Sequence, residues 1–305
     1  MIGILLMAYG TPATLDDVEA YYTHIRGGRK PSPEHLEELL ARYKAIGGRS
    51  PLLEITQRQA AGLEATLNRE TPGTYRVYVG MRHAPPFIAD VVVQMVGDRP
   101  ERAIGVALAP HYSRMSIAAY IAAARKALEE WGSPFPMEFV ETWHDNPLYL
   151  DALAARVREA LGRFPSDERP HVPVVFTAHS LPQKILEWND PYPRELQRTC
   201  EGVAQRAGVT PWSFAYQSAG RTADPWLGPD ITEKLRSLYE EGGRAVVFCP
   251  VGFVADHLEV LYDIDVNLRQ MARAMGVRLE RAPSLNDSPD FVATLADVVR
   301  RRAAA

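Results

Sequence analysis

The sequence predicts two similar, doubly wound α/β domains, each a four-stranded parallel sheet of Rossmann-like type, facing each other across a cleft. Three observations carry this. Short apolar runs alternate with longer stretches of helical period, the pattern of βαβ units. The runs are near-continuous in apolar residues, as strands covered on both faces are. And the chain reads as if written twice. ILLMAYGTP at 4–12 parallels VVFTAHSLP at 174–182, and RAIGVALAP at 102–110 parallels RAVVFCP at 244–250. Residues 82–88 align with 221–227, and Asp145-Asn146-Pro147 aligns with Asp287-Ser288-Pro289.

Taken in order, the first half has apolar β-branched runs at about 3–8, 74–80, 103–109 and 137–143. The second has them at about 172–178, 212–217, 244–249 and 276–281. Parallel neighbours need crossovers, and these should be right-handed. The polar, proline-flanked stretch FPSDERPHVP at 164–173 marks the boundary, giving domains at 1–166 and 167–288. A last helix at 289–303 belongs to the second domain or packs back on the first. The first domain carries a mostly helical insertion at 14–70. Its middle bears Arg26, Arg29, Lys30, Arg42, Lys44 and Arg49, punctuated by Gly27-Gly28 and Gly47-Gly48. One reading is a solvated helical pair with glycine caps. The other is a lip whose cations meet an anionic ligand.

Composition is that of a soluble globular protein, 46% hydrophobic and 24% charged. A net charge of −4 gives no nucleic-acid footprint. Two cysteines, Cys200 and Cys249, fall short of the four thiolates of an all-cysteine iron–sulfur cluster and form no disulfide framework. The apolar start, Ile2 to Leu6, is too short for a membrane span, and the closing RRRAAA is no anchor. A cytoplasmic, monomeric protein without stable membrane insertion is the expectation. No G-x-G-x-x-G, phosphate loop or G-x-S-x-G elbow occurs, which argues against nucleotide chemistry and serine hydrolysis.

In open parallel sheets the ligand crevice lies beyond the carboxyl ends of the strands. Those ends supply Tyr9, His83, His111, Tyr112, His179, Gln217, Arg221, Asp256, His257 and Glu259. The sharpest local signal follows the seventh strand. From Ala245 to Leu268 there is no Lys or Arg, yet Asp256, Glu259, Asp263 and Asn267 recur at helical spacing. Like charges so spaced repel, so a plain surface helix interleaves cations. The stripe implies positive charge from elsewhere, as a hard cation or as protons in transit. An acidic surface helix favoured by its own dipole is the plainer alternative. The opposite stripe, Val254, Leu258, Leu261 and Leu268, should face the core, with Asp265 unexplained. His179, at the tip of the fifth strand, stands where the first half has Tyr9, so each half offers a metal ligand or proton handler there.

The segments MAYGTP (7–12), YYTHIR (21–26), RYKAIGGRSPL (42–52), LAPHYS (108–113), TAHSLP (177–182), DPYP (190–193), DPWLGPD (224–230) and PVGFVADHLEVLYDID (250–265) resemble the ferrochelatase family nearly end to end. The short bacterial enzymes that insert iron into coproporphyrin III are the nearest in pattern. The resemblance implies a chelatase-like fold with the porphyrin between the domains. It implies that His179 and Glu259 handle ferrous iron and the pyrrole protons. It places Tyr9 on the other face of the macrocycle, axial to the product iron. It assigns Arg26, Arg42, Tyr43, Ser50 and Tyr120 to the propionates or pocket walls, and Asp263 to an acidic ladder leading outward. Tyr9, and the chain's short C-terminus, favour coproporphyrin III over protoporphyrin IX, the longer forms that use protoporphyrin having Met at that position.

Three departures stand out. Asn267 replaces a common acid, Gly27 a common second Arg, and Arg49 adds a cation beside Ser50. The implied reaction gives Fe-coproporphyrin III (coproheme) in heme biosynthesis. Iron is then a substrate, with no permanently bound cofactor and no iron–sulfur cluster. An iron donor or a coproheme-processing enzyme would be transient partners. Two other readings are a chelatase for protoporphyrin IX or a sirohydrochlorin-like ring, and a non-catalytic tetrapyrrole or iron carrier.

Overall fold

The computed structural model describes residues 1–304 apart from Arg221 and Ala223. Its strands are β1 (Ile2–Ala8), β2 (Tyr75–Met81), β3 (Arg102–Ala107), β4 (Met137–Val140), β5 (Val174–His179), β6 (Trp212–Gln217), β7 (Ala245–Cys249) and β8 (Arg278–Arg281). They form two four-stranded parallel sheets, ordered β2-β1-β3-β4 and β6-β5-β7-β8. The two orders are the same, so the repeat in the sequence is a repeat in topology. Within it β1 matches β5 and β3 matches β7. The match of 82–88 with 221–227 falls partly on Arg221 and Ala223, outside the described residues.

The predicted third and fourth runs are longer than their strands. β3 ends at Ala107 and β4 at Val140, ahead of Pro110 and the turn in which Trp143 N–H donates to the Pro110 carbonyl at 3.0 Å. A proline cannot donate to a ladder, so pairing stops there.

The helices are α1 (Val18–Ile25), α2 (Pro33–Ala45), α3 (Leu52–Leu67), α4 (Ile88–Asp98), α5 (Ile117–Glu130), α6 (Pro147–Leu161), α7 (Tyr192–Ala207), α8 (Ile231–Glu240), α9 (Arg269–Ala274) and α10 (Pro289–Ala304). A π-helix, Val260–Leu268, runs directly into α9. Strand residues alternate between two cores. Ile4, Leu6, Ile104 and Val106 join Phe176, Val247 and Cys249 in one interior shared by both sheets. Leu5 and Met7 face α4 and α5 on the outside, and Val175, Val246 and Phe248 face α8 and the π-helix. Each such buried side chain contributes about 1.5–3 kcal/mol.

The shared interior is filled by helices that cross between the halves. α6 follows the first sheet in sequence but packs on α7, β7 and β8, and α10 follows the second sheet but packs on α3 and β3. The two helices also pack on each other. The 14–70 insertion is smaller than expected. α3 packs on β2 and is the crossover helix of the first sheet, so only α1 and α2 form a lip. Both lip helices close in Schellman caps. Gly28 N–H reaches the Thr23 carbonyl at 2.9 Å and Gly48 N–H the Tyr43 carbonyl at 2.8 Å. Both glycines have positive φ, 89° and 91°, which a side chain would oppose. α2 lies against the π-helix, bringing the lip over the second sheet. Among the described residues no helix is long and apolar enough to cross a membrane.

Candidate active site

A cavity of about 400 Å³ opens between the two sheets at the carboxyl ends of their strands, where the open-sheet rule places it. The first half lines it with Tyr9, Tyr21, Tyr43, Ser50, Arg82, His83, His111 and Tyr120. The second half lines it with His179, Trp226, Gly252, His257 and Glu259.

Glu259 stands at the mouth of the π-helix with an imidazole on each carboxylate oxygen. His179 Nε2 is 3.6 Å from Oε1 and His257 Nε2 is 3.7 Å from Oε2. Both rings have the same orientation for the same reason. His179 Nδ1 is bonded to the Ser180 carbonyl and His257 Nδ1 to the Ala255 carbonyl. A carbonyl only accepts, so Nδ1 carries the hydrogen and Nε2 is left for a proton or a metal. The Glu259 backbone carbonyl accepts from Gln217 Nε2 at 3.2 Å, and Gln217 Oε1 accepts from the buried Thr177 hydroxyl at 2.8 Å. Tyr192 OH donates to the His179 carbonyl at 2.9 Å. The positions of both reactive groups are thus set by residues behind them.

Charge follows from this packing. Burial would push the Glu259 carboxyl up, but the His179 and His257 imidazoles outweigh it and hold the group well below the usual carboxylate range. Burial would push His179 down, but Glu259, the Ser180 carbonyl and Asp263 outweigh it and raise it. Across the cavity the phenols and His83 are neutral. Burial drives Tyr9 and Tyr120 up, and Tyr43 up to about 12. Burial, with Arg82 and His24 close by, takes His83 down to about 3.

The acidic stripe divides. The π-helix winds with i→i+5 bonds, and such turns are frequent at functional sites. Asp256 lies before it and is structural: Ser284 Oγ and Asn286 Nδ2 donate to it at 2.7 and 3.0 Å, and Arg281 pairs with it at 3.2 Å. Arg281 also pairs with Asp265 at 2.9 Å, and Arg269 does so at 3.3 Å, which accounts for that acid on the other stripe. Asp263 is buried, bonded to the Ser218 hydroxyl and 4.0 Å from Arg42 Nη1. Burial raises it to about 6 against the Ser218 bond, with the Glu259 charge adding to the rise. Asn267 is exposed. Of the expected apolar stripe, Val254 and Leu268 are buried, but Leu258 and Leu261 are only half-buried, and Val260 and Ile264 take the core positions between. The wider π turn moves the buried face off α-helical phase.

His179, Glu259, Tyr9, Tyr43, Ser50 and Tyr120 are therefore brought to one cavity. Tyr43 OH is 3.3 Å from Thr11 Oγ1, and Ser50 Oγ accepts from Leu52 N–H at 3.3 Å at the start of α3. Arg26, Arg42 and Asp263 are outside the cavity wall. Arg26 sits at the end of α1, its guanidinium 5.8 Å from the Tyr22 ring. Arg42 is engaged with Glu38 at 2.9 Å and with the Tyr262 ring at 5.2 Å. No three His, Cys, Asp or Glu side chains among the described residues are set to hold a metal ion together. His179 and His257 approach opposite oxygens of Glu259, and Asp263 faces away to Ser218. Arg221 lies outside the described residues.

Tyr21, Arg82 and Trp226, which are not among the sequence candidates, also line the cavity, and His83 and His257 gain a place there. Their signal was position: His83 and Arg82 follow β2, and His257 follows β7, at strand ends that open into the crevice. Nothing in Tyr21 distinguished it from its neighbour Tyr22. It donates to the Gly10 carbonyl at 3.2 Å and so ties the lip to the Tyr9 turn.

Comparison with known proteins agrees with this geometry. The family model described as ferrochelatase matches residues 1–303. The chain is 47% identical over 296 residues to a ferrochelatase of Herpetosiphon aurantiacus, covering 97% of each protein. It is 46% identical over 302 residues to a coproporphyrin III ferrochelatase of Geobacillus kaustophilus, covering 98% of this chain and 95% of that one. It is 44% identical over 303 residues to a coproporphyrin III ferrochelatase of Bacillus subtilis, covering 99% and 97%. Among solved structures, SirB from Bacillus subtilis with Fe3+ superposes with a TM-score of 0.64 at 11% identity, covering 99% of this chain and 96% of that chain. That likeness shows a shared fold.

Proposed function

Since the chain belongs to the ferrochelatase family, we propose that it inserts ferrous iron into coproporphyrin III, releasing two protons and giving Fe-coproporphyrin III in heme biosynthesis. One observation carries the reading. A carboxylate flanked by two imidazoles, with His179 Nε2 at 3.6 Å, faces a phenol from the other half of the molecule across a cavity lined by both.

Those residue types suit the step. The iron must shed water, reach the ring centre and displace two pyrrole hydrogens. An imidazole nitrogen and a carboxylate oxygen bind ferrous iron weakly enough to give it up. Glu259, held ionised by its neighbours, accepts a proton, and His179 shares it through the same contact. Asp263 lies one turn further along the π-helix, buried against Ser218, and is the next carboxyl to which protons from Glu259 can pass. Tyr9, neutral and 40% exposed, offers its oxygen to the opposite face of the macrocycle. Iron is a substrate here, and the reaction needs no resident cofactor. We place it in the cytoplasm, with iron donor and product acceptor meeting the protein transiently.

The test is anaerobic mixing of the protein, ferrous iron and coproporphyrin III or protoporphyrin IX, followed by absorption. The metalloporphyrin spectrum should develop catalytically and faster with coproporphyrin III. H179A and E259Q should each lower the rate at least a hundredfold while porphyrin binding persists. A single turnover per protein would make the chain a carrier, and full activity in either variant would remove that residue from the chemistry.

A further inference from the structure

We infer that Arg82 is a binding site for a peripheral carboxylate of the tetrapyrrole, on the Tyr9 wall of the cavity and apart from the cations of the lip. The inference rests on the porphyrin reading above and adds a specificity-determining residue to it.

Arg82 is the first residue beyond β2, and its backbone is pinned. Its N–H donates to the Ala8 carbonyl at 2.9 Å, and the next N–H, of His83, donates to the Tyr9 carbonyl at 2.9 Å. Its side chain lines the cavity with the guanidinium carbon 5.7 Å from the centre of the Tyr120 ring. Among the described residues no carboxylate lies within ion-pair distance of it, and no acceptor bonds its five N–H groups. Its nitrogens are not sealed off, and the residue lines the cavity.

Three of the lip cations are already paired, Arg42 with Glu38, Arg49 with Glu54 and Lys30 with Glu19. Arg26, Arg29 and Lys44 have no carboxylate partner among the described residues and lie outside the cavity wall. Neighbours of Arg82 on its own wall provide no countercharge, since Tyr9 and Tyr120 are held as phenols and His83 as neutral imidazole. A half-buried guanidinium without an anion is costly, and its fork of donors matches a carboxylate. Coproporphyrin carries a carboxylate on each of its four pyrroles, so its rim presents anions beyond the edge that meets the lip, and Arg82 is a cation of the cavity wall free to take one.

The test is metal-free titration of coproporphyrin III, and of its uncharged tetra-amide, into wild-type protein, R82Q and R82K, followed by porphyrin fluorescence. R82Q should weaken coproporphyrin III about tenfold to a hundredfold and leave the tetra-amide unchanged. R82K should recover part of the loss, because it restores the charge without the fork. Equal weakening of both ligands, or no weakening of either, overturns the inference while leaving iron insertion standing. Wild-type protein that fails to bind coproporphyrin III overturns both. Unchanged binding of the tetra-amide shows that the R82Q cavity is intact.

Discussion

At the scale of single residues, the site depends on how closely two loops approach. Gly252 packs its α-carbon against β5 just before His179. A methyl group there would lie 2.5 Å from Ala178 Cβ and 2.9 Å from its Cα. Neither atom can move without moving the strand that carries His179. Gly252→Ala is therefore expected to cost about 1–3 kcal/mol of stability. It should also slow metallation by separating His179 from Glu259. Urea unfolding and initial rates of iron insertion measure both; wild-type values for each would show that the loop can shift freely. This glycine was not legible as special in the sequence, because its requirement comes from Ala178, a neighbour distant in the chain. His179 and Glu259 were legible, being a histidine and an uncompensated acid at strand ends. Arg82 was not, because a cation after a strand looks like any other until its lack of a partner can be seen.

At the scale of elements, the strands were readable and the helix of the site was not. Continuous apolar runs such as VVF and AVVFC can be buried only on two faces, which fixes their place in a parallel sheet. A π-helix has no such mark, since i, i+4 repeats fit both α and π winding; Leu261 was misplaced for this reason. What holds the π segment is a set of charges from β8. Arg281, with its side chain 12% exposed, spans Asp256 before the segment and Asp265 within it. Removing one member of such a set leaves the others buried and unpaired. R281M should therefore cost about 3–5 kcal/mol. Amide hydrogen exchange should rise in 256–268 ahead of the rest of the second sheet. Uniform exchange, or a loss below about 1 kcal/mol, would mean that the apolar contacts of Val260, Ile264 and Leu268 suffice by themselves.

At the scale of the whole molecule, the two halves are joined behind the cavity by the crossing helices and by a buried polar seam. His111, beyond β3, meets Thr199 of α7 through Nε2 at 2.8 Å, and Tyr112 N–H donates to Glu195 of α7 at 2.7 Å. The Ser113 hydroxyl and the Arg114 N–H donate to Asp190, ahead of α7, at 3.1 and 2.9 Å. The Thr199 hydroxyl itself donates to a backbone carbonyl, His144 at 3.0 Å or Glu195 at 3.2 Å, so it accepts from His111 and fixes that ring as the Nε2–H tautomer. The duplication foretold two facing halves, but not this seam, which joins unlike loops that no internal alignment pairs. Burial, with His144 beside it, lowers His111 from 6.5 to about 3. The unfolded chain then binds a proton that the folded one refuses between those values, so stability is fully present above pH 6.5 and falls as pH drops toward 3. His111→Gln keeps a donor for Thr199 but cannot take up the proton. The urea midpoint of wild-type protein should decline between pH 6.5 and pH 4, and the variant's decline should be shallower by an amount equivalent to about 2–3 kcal/mol over that range. Parallel profiles would place the acid sensitivity in other groups and leave His111 a neutral contact between the halves.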